Sequence, residues 1–264
     1  MRPRRSSAAP GPDADWFSPA PPRVLAHRGL ALEAPENTML AFVKALATGV
    51  AYVETDVHAS ADGVAIVSHD PDLRRVAGRN MRIDQLTAAE LARIDLGSGQ
   101  TYPTLTEVLD AFPDARFNID IKHAAASEPA ARAIAAARAQ HRVLVGSFDG
   151  RRRRSTVRRL DGVATSASSL AVLATVVGAK LGIRMLVRRA LRDVDAVQLP
   201  LRVLRIRATT PRVIRAVHEL GIEMHVWTIN DPAMMRRLLD RGVDGIITDR
   251  CDLAMDAVRR RAAP

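Results

Sequence analysis

Residues 52–70 read Tyr-Val-Glu-Thr-Asp-Val-His-Ala-Ser-Ala-Asp-Gly-Val-Ala-Ile-Val-Ser-His-Asp, and the fold turns on how this stretch is parsed. Two apolar, β-branched runs, 52–57 and 64–69, flank Asp62-Gly63, a pair that favours a tight hairpin because glycine accepts a positive φ. Side chains alternate faces along a strand, so Glu54 and Asp56 share one face of an otherwise apolar segment. Buried carboxylates are costly unless they are paired or coordinate a metal, and two oxygen ligands on one face suit a hard cation such as Mg²⁺ or Ca²⁺. A partly exposed edge with salt bridges to nearby arginines is the plainer alternative. With a two-residue turn, position 61 pairs with 64 and Asp56 comes to face His69 across the ladder. If the two runs are instead parallel staves, that pairing falls away, but the short connection still keeps their ends close.

Similar runs recur at 24–27, 117–121, 143–148, 163–165, 196–199, 224–228 and 245–248. Between them lie segments of helical period, including 38–47, 128–139, 212–220 and 234–241. Repeated βα units of this kind describe an α/β barrel, which closes on eight strands. Nine runs are present, so one of them is expected to lie off the barrel, and the arm after Asp62-Gly63 is the suspect. Residues 71–116 hold more than one crossover requires, with Thr87 and Thr104 placed to cap short helices, and are expected to form an insertion on the rim. Residues 1–22, rich in Pro, Ala, Arg and Ser with Trp16 and Phe17 as the large apolar exceptions after Met1, are expected to be a disordered lead-in. The barrel then occupies 23–256 and a basic tail 257–264.

The formal net charge of +10 comes mostly from arginine and favours anionic partners: phosphate esters, acidic lipid headgroups or nucleic acid. Charge alone does not choose among them. The arginines at 151–154, 158 and 159 spread around several faces of a helix, which reads as a solvated surface, so no nucleic-acid partner is expected. Cys251 is the single cysteine, which excludes an intramolecular disulfide framework and suits a reducing compartment. The most apolar stretch, 164–187, is interrupted by Lys180 and Arg184 before it reaches the ~20 residues a membrane span needs. With no apolar core of a signal peptide in residues 1–22, a cytoplasmic protein is expected.

Further polar residues fall at strand ends, where barrel active sites are built. Ala26-His27-Arg28-Gly29 ends a strand with an acid–base group, a fixed cation and a residue that turns sharply. His69-Asp70 ends another. Both histidines could equally be plain loop residues. In Asn118-Ile119-Asp120-Ile121-Lys122 the polar groups share a face, giving a third carboxylate and a lysine able to neutralise a phosphate oxygen, or else a structural Asp–Lys pair. Trp227, one of two tryptophans, stands at the end of a late strand and is core or the wall of a pocket.

Taken in order, His27-Arg28-Gly29, Pro35-Glu36-Asn37-Thr38, Glu54-x-Asp56, Asp62-Gly63 with His69-Asp70, Asn118 to Lys122, Trp227-Thr228-Ile229-Asn230 and Gly242-Val243-Asp244-Gly245-Ile246-Ile247-Thr248-Asp249 resemble the glycerophosphodiester phosphodiesterase family. The match runs from about residue 23 to 253 and is least distinct over 163–210. The resemblance implies a TIM-type (β/α)8 barrel with a small rim insertion. It implies one divalent cation, Mg²⁺ or Ca²⁺, held by Glu54, Asp56 and Asp120, with His27 and His69 as the acid–base pair, Arg28 and Lys122 on the phosphate, and Glu36 in an auxiliary place. It further implies hydrolysis of a small glycerophosphodiester to sn-glycerol 3-phosphate and an alcohol, the substrate's own 2-hydroxyl attacking phosphorus and water opening the cyclic phosphate. Family members usually carry glutamate where this chain has Asp120, so the third ligand is one methylene shorter. Lysophospholipase D-like cleavage of lipid phosphodiesters, a catalytically inactive anion-binding barrel, and peripheral contact with anionic lipid are the competing or additional readings.

Overall fold

The computed structural model describes residues 16–262. Every anticipated run becomes a strand: β1 (Arg23–His27), β2 (Tyr52–Ala59), β3 (Ala65–Val67), β4 (Arg116–Ile121), β5 (Val143–Gly146), β6 (Ala164–Thr165) and β7 (Ala196–Pro200). Two short unanticipated strands, β8 (Arg202–Val203) and β9 (Ile206–Arg207), form a hairpin before β10 (Glu223–Trp227) and β11 (Gly245–Thr248). Eight parallel staves run in the order β6-β5-β4-β2-β1-β11-β10-β7. A single parallel bridge, Ser166 to Ala196, brings β6 against β7 and leaves a nearly closed TIM-type barrel. Apolar side chains on the outer faces of the staves pack under the helices, while Leu25, Tyr52, Leu144, Ala164, Ala196 and Ile247 cluster together with Trp16.

The ninth run is the hairpin arm. β3 pairs antiparallel with β2, Val57 opposite Val67 and Ala59 opposite Ala65, so it stands outside the barrel. The turn differs from the expected one. The Ser60 amide bonds Val64 O (3.0 Å), and Gly63 takes φ +74 at the end of a three-residue loop. One extra loop residue slips the register by one, so Asp56 meets Ser68, whose amide donates to Asp56 O (2.9 Å), and His69 lies beyond.

The insertion is also shorter than 71–116. Leu73, Ile83, Leu86, Leu91, Ile94 and Tyr102 gather with Ile66 into a small core of their own on the rim. Thr87 and Thr104 do cap helices, each in a capping box with the glutamate three residues on. The helix Leu105–Ala111, however, buries Leu105, Val108 and Leu109 with Phe117 of β4, so it is the barrel's own crossover. At the C-terminus the helix Cys251–Ala262 runs through the supposed tail, burying Ala257 and bonding Arg259 to Thr48 O (2.8 Å).

The lead-in is ordered at least from residue 16; residues 1–15 lie outside the described residues. Trp16 is wholly buried, its Nε1 donating to Phe117 O (3.2 Å), and it packs edge-on against Tyr52. It sits beside Arg23, the first residue of β1, whose guanidinium grips Glu223 with two 2.7 Å bonds, caps Phe17 O and Pro19 O, and lies over the rings of Trp16, Phe17 and Tyr52. A bidentate, ring-stacked site of this kind suits arginine and not lysine. The cluster occupies the N-terminal end of the staves, away from their C-terminal mouth.

Burial alone would raise the Glu223 carboxyl, but hydrogen bonds from Arg23 and His225 outweigh it and hold the group at about 2, below its ordinary 4.5. The unfolded chain therefore takes up this proton first as pH falls: the stabilisation is whole above the ordinary value and is lost as pH drops toward 2. Glu223→Gln is expected to lower Tm at pH 6 and to flatten the fall in Tm between pH 5 and 3. Thermal melts across that range check it, and an unchanged acid limb would contradict the role.

Candidate active site

The parallel staves deliver their C-terminal ends to one mouth, and a cavity of about 440 Å³ opens there. His27, Arg28, Glu54, Asp56, His69, Asp120, Lys122 and Trp227 all line it; Glu36 does not and stands behind Arg28. Register places them. His27 pairs with Glu54 across β1 and β2, Glu54 with Asn118 and Asp56 with Asp120 across β2 and β4, and Asp120 with Gly146 across to β5.

The turn after His27 is held by close packing. Gly29 takes φ +84, and a Cβ there would lie 2.7 Å from the Ala41 carbonyl, so only glycine lets β1 turn under the first helix. Arg28 also takes a positive φ, +57, a conformation with a steric cost that the neighbouring bonds must hold in place. Its amide donates to Glu54 O (2.9 Å), and its guanidinium reaches Glu36 Oε1 (3.0 Å). Its Nε lies 3.2 Å from Asp56 Oδ2 but out of line for a hydrogen bond.

Both histidines are backed by a carboxylate. His27 Nδ1 lies 2.6 Å from Asp249 Oδ1, and Asp249 is itself fixed by the side-chain amide of Asn230 (2.7 Å). His69 Nδ1 lies 2.7 Å from Asp70 Oδ1. Hydrogen bonds to His27 hold the Asp249 carboxyl below its usual range, and Asp70, despite burial, is held low by Arg75 and His69. An ionised carboxylate only accepts, so each imidazole carries its proton on Nδ1 and keeps Nε2 for a substrate. Burial disfavours the charged form of His27, but Glu54 and Asp249 together lift its pKa above the ordinary value. From Asp70 the contacts continue: Arg75 Nε donates to Asp70 (2.6 Å), Arg75 bonds Glu36 (2.6 and 3.1 Å), and Glu36 accepts from Arg28. Glu36 thus acts through the two arginines.

The three carboxylates are compensated unequally. Lys122 Nζ bridges Asp56 (2.7 Å) and Asp120 (2.8 Å), and Asn37 donates to Asp56 (3.1 Å). Burial opposes ionisation of Asp56, yet Lys122 and Arg28 hold its carboxyl below the usual range, while burial keeps Asp120 above it in spite of Lys122. Glu54 has only the Arg28 amide at 3.3 Å and His27 at 3.9 Å, and burial, with Asp56 beside it, pushes it up to about 8. Among the described residues no three acidic or histidine side chains converge tightly enough to enclose an ion as they stand, because Lys122 occupies the place between Asp56 and Asp120. The donor chemistry nonetheless fits a hard cation: all oxygen, buried, with one carboxylate lacking a close positive partner.

Asn37, Asp70 and Asp249 fell within motifs quoted from the sequence but were given no role there, and Arg75 was not singled out at all. Asp249 is 222 positions from the histidine it orients, and its only signal was a carboxylate at the end of the last stave. Apart from Arg202, the rest of the wall is apolar or neutral: Trp227 packs edge-on against Phe148, and Asn118 Oδ1 is buried without a hydrogen-bond partner.

A parallel barrel with paired imidazoles and a cation-rich, carboxylate-lined mouth defines a hydrolase of phosphoric diesters, and comparison with known proteins places it more narrowly. Residues 27–253 match the glycerophosphoryl diester phosphodiesterase family, and the chain belongs to that family. It is 44% identical over 239 residues to the "Probable glycerophosphodiester phosphodiesterase 2" of Mycobacterium tuberculosis, covering 90% of each chain. A glycerophosphodiester phosphodiesterase from Thermotoga maritima superposes with a TM-score of 0.71 at 29% identity, covering 88% of this chain and 96% of that one. An Oleispira antarctica phosphodiesterase, solved in complex with the product sn-glycerol-3-phosphate, superposes at 0.73 with 23% identity, covering 90% and 97%.

Because Asp249 both orients His27 and raises its basicity, Asp249→Asn is expected to lower the pKa of His27. An NMR titration of the His27 ring checks this, and an unmoved midpoint would remove Asp249 from that role.

Proposed function

We propose that the protein hydrolyses small glycerophosphodiesters to sn-glycerol 3-phosphate and an alcohol, using His27 and His69 as the acid–base pair. The observation that carries the reading is the pair of carboxylate-backed imidazoles lining one cavity together with Lys122 and the carboxylates of β2 and β4. The names borne by the similar proteins, one of them holding sn-glycerol-3-phosphate, support it.

Glu54, Asp56 and Asp120 would hold one divalent cation, Mg²⁺ or Ca²⁺, which when bound would supply charge neutralisation at the phosphoryl oxygens. Phosphoryl transfer asks mainly for positioning and charge compensation, and the chain's own cations add to both. Lys122 Nζ, one residue past the end of β4 and lining the cavity, is placed to meet a non-bridging oxygen, and Arg28 contributes positive charge from the β1 turn while Glu36 fixes its direction. One Nε2 accepts the proton of the attacking 2-hydroxyl while the other delivers a proton to the leaving alcohol oxygen. The roles reverse when water opens the cyclic phosphate, so each ring both accepts and releases a proton within one cycle. Trp227 and Phe148 wall the site against bulk water.

The apolar wall formed by Phe148, Val172, Val203, Leu204 and Trp227 favours a second reading, cleavage of lipid phosphodiesters in the manner of a lysophospholipase D. Relative turnover of glycerophosphocholine and lysophosphatidylcholine separates the two. An inactive anion-binding barrel is disfavoured by the presence of both histidines and all three carboxylates. No helix among the described residues is long and apolar enough to cross a membrane, and a cytoplasmic location is part of the proposal, supported by the lone, buried Cys251.

Incubation with a panel of glycerophosphodiesters, with and without EDTA and added Mg²⁺ or Ca²⁺, is expected to show EDTA-sensitive release of sn-glycerol 3-phosphate; no hydrolysis of any member would refute the proposal. His27→Ala and His69→Ala are each expected to cut kcat by roughly 10²–10⁴ with Tm nearly unchanged, and near-normal turnover would remove that histidine from the chemistry. Glu54→Ala is expected to raise the metal concentration for half-maximal activity, and an unchanged titration would exclude it as a ligand.

A further inference from the structure

The side of the cavity mouth from β1, β2 and β4 is charged; the side from β5, β6 and β7 is lined by small and neutral residues and carries exposed apolar side chains and arginine at its rim. Phe148 after β5, Leu170 after β6 and Leu204 after β7 follow three neighbouring staves and stand 56%, 79% and 75% exposed. Phe148 and Leu204 line the opening itself, as do Ser169 and Val172 on either side of Leu170 in the chain. Leu204 forms the tip of the β8–β9 hairpin, where Leu204 and Arg205 both take left-handed φ, +46 and +66, and Arg202 Nη1 closes the turn on Arg205 O (3.2 Å). That geometry pushes the leucine outward between Arg202, Arg205 and Arg207, all exposed, with Ile206 half-exposed beside them.

Charge adds to this. The short β8–β9 hairpin at the mouth carries Arg202, Arg205 and Arg207 and no acid. It lies within a stretch, residues 162–218, that holds ten lysines and arginines against two acids; four of those cations, Arg184, Arg188, Arg212 and Arg215, line a separate groove. The two acids are spoken for: Asp195 accepts the Thr165 amide (2.9 Å) and Asp193 pairs with Arg192 (3.1 Å). Arg205 and Arg207 make no ion pair among the described residues. A protruding aliphatic tip flanked by unpaired cations costs free energy in water, and both parts are favourable where apolar chains meet anionic headgroups.

We infer that this side of the mouth docks on a bilayer that contains anionic phospholipid, with Leu170, Leu204 and Phe148 entering the interface and Arg202, Arg205 and Arg207 meeting headgroup phosphates. A nucleic acid fits less well, because two of the three protruding groups are aliphatic and Phe148 is the single exposed ring among them. Docking turns the cavity toward a surface that carries phosphodiester groups, and it goes beyond hydrolysis of a small soluble substrate.

The test is flotation of the full chain with vesicles of phosphatidylcholine alone or with about 30 mol% phosphatidylglycerol. The anionic vesicles are expected to bind about tenfold or more tightly, with binding falling as salt rises. Two variants outside the cavity wall, Arg205→Glu/Arg207→Glu and Leu170→Asp, are each expected to weaken vesicle binding about tenfold or more. Both are expected to keep the wild-type circular-dichroism spectrum and to hydrolyse soluble glycerophosphocholine within about twofold of wild type. Equal binding to the two vesicle types, wild-type binding by the folded variants, or preference for duplex DNA over anionic vesicles would each overturn the inference. Vesicle binding is read without turnover, so its failure and a failure of the hydrolytic reading are seen separately.

Discussion

Parallel pairing of β2 with β4 sets Asp56 opposite Asp120, with Glu54 one pleat below and His27 beside it on β1. Three carboxylates, all buried, are thereby brought together at one mouth, where like charges at close range cost several kcal/mol unless they are answered. Much of the surrounding sequence answers them. Lys122 lies between two of them, Arg28 is bent into a positive φ to approach Asp56, and Asn37 donates to the same carboxylate. What these groups leave over is Glu54, which has only the Arg28 amide and His27 near it and which burial, with Asp56 beside it, pushes up to about 8.

The two ends of the barrel divide the labour. At the N-terminal end one arginine, Arg23, is fully satisfied by Glu223, Tyr52 and two carbonyls, and Trp16 closes over it. At the other end, cations and carboxylates are left in partial balance, and Asn118 keeps a buried acceptor open. Incomplete satisfaction costs stability, and a well-sealed opposite end lets the fold carry it. The two histidines add direction: each has its Nδ1 tied to a carboxylate, and Arg75 and Glu36 join the His69 side to the Arg28 side through side-chain contacts alone.

The staves were legible because a half-buried strand writes its faces into the sequence with period two, which is why Glu54-x-Asp56 and Asn118-x-Asp120-x-Lys122 declared their shared faces without coordinates. What was not legible depends on contacts between distant parts of the chain or on one residue of loop length. Asp62-Gly63 marks a turn but does not distinguish a two-residue from a three-residue loop, and that single residue moved Asp56 from His69 to Ser68. Trp16 reads as part of a disordered leader until Phe117 and Tyr52 are seen around it. The helix Leu105–Ala111 reads as insertion until its apolar face is found against β4. Asp249 could not be joined to His27 by any spacing rule, because only closure of the barrel brings β11 beside β1.

The most direct measurement is a crystal structure with sn-glycerol 3-phosphate and Mg²⁺ or Ca²⁺. The phosphate is expected within hydrogen-bonding reach of both His27 and His69, with the cation on Glu54 and Asp56 and either directly or through water on Asp120. A phosphate bound away from either ring, or a cation bound elsewhere with Glu54 still facing only His27 and the Arg28 amide, would contradict the account.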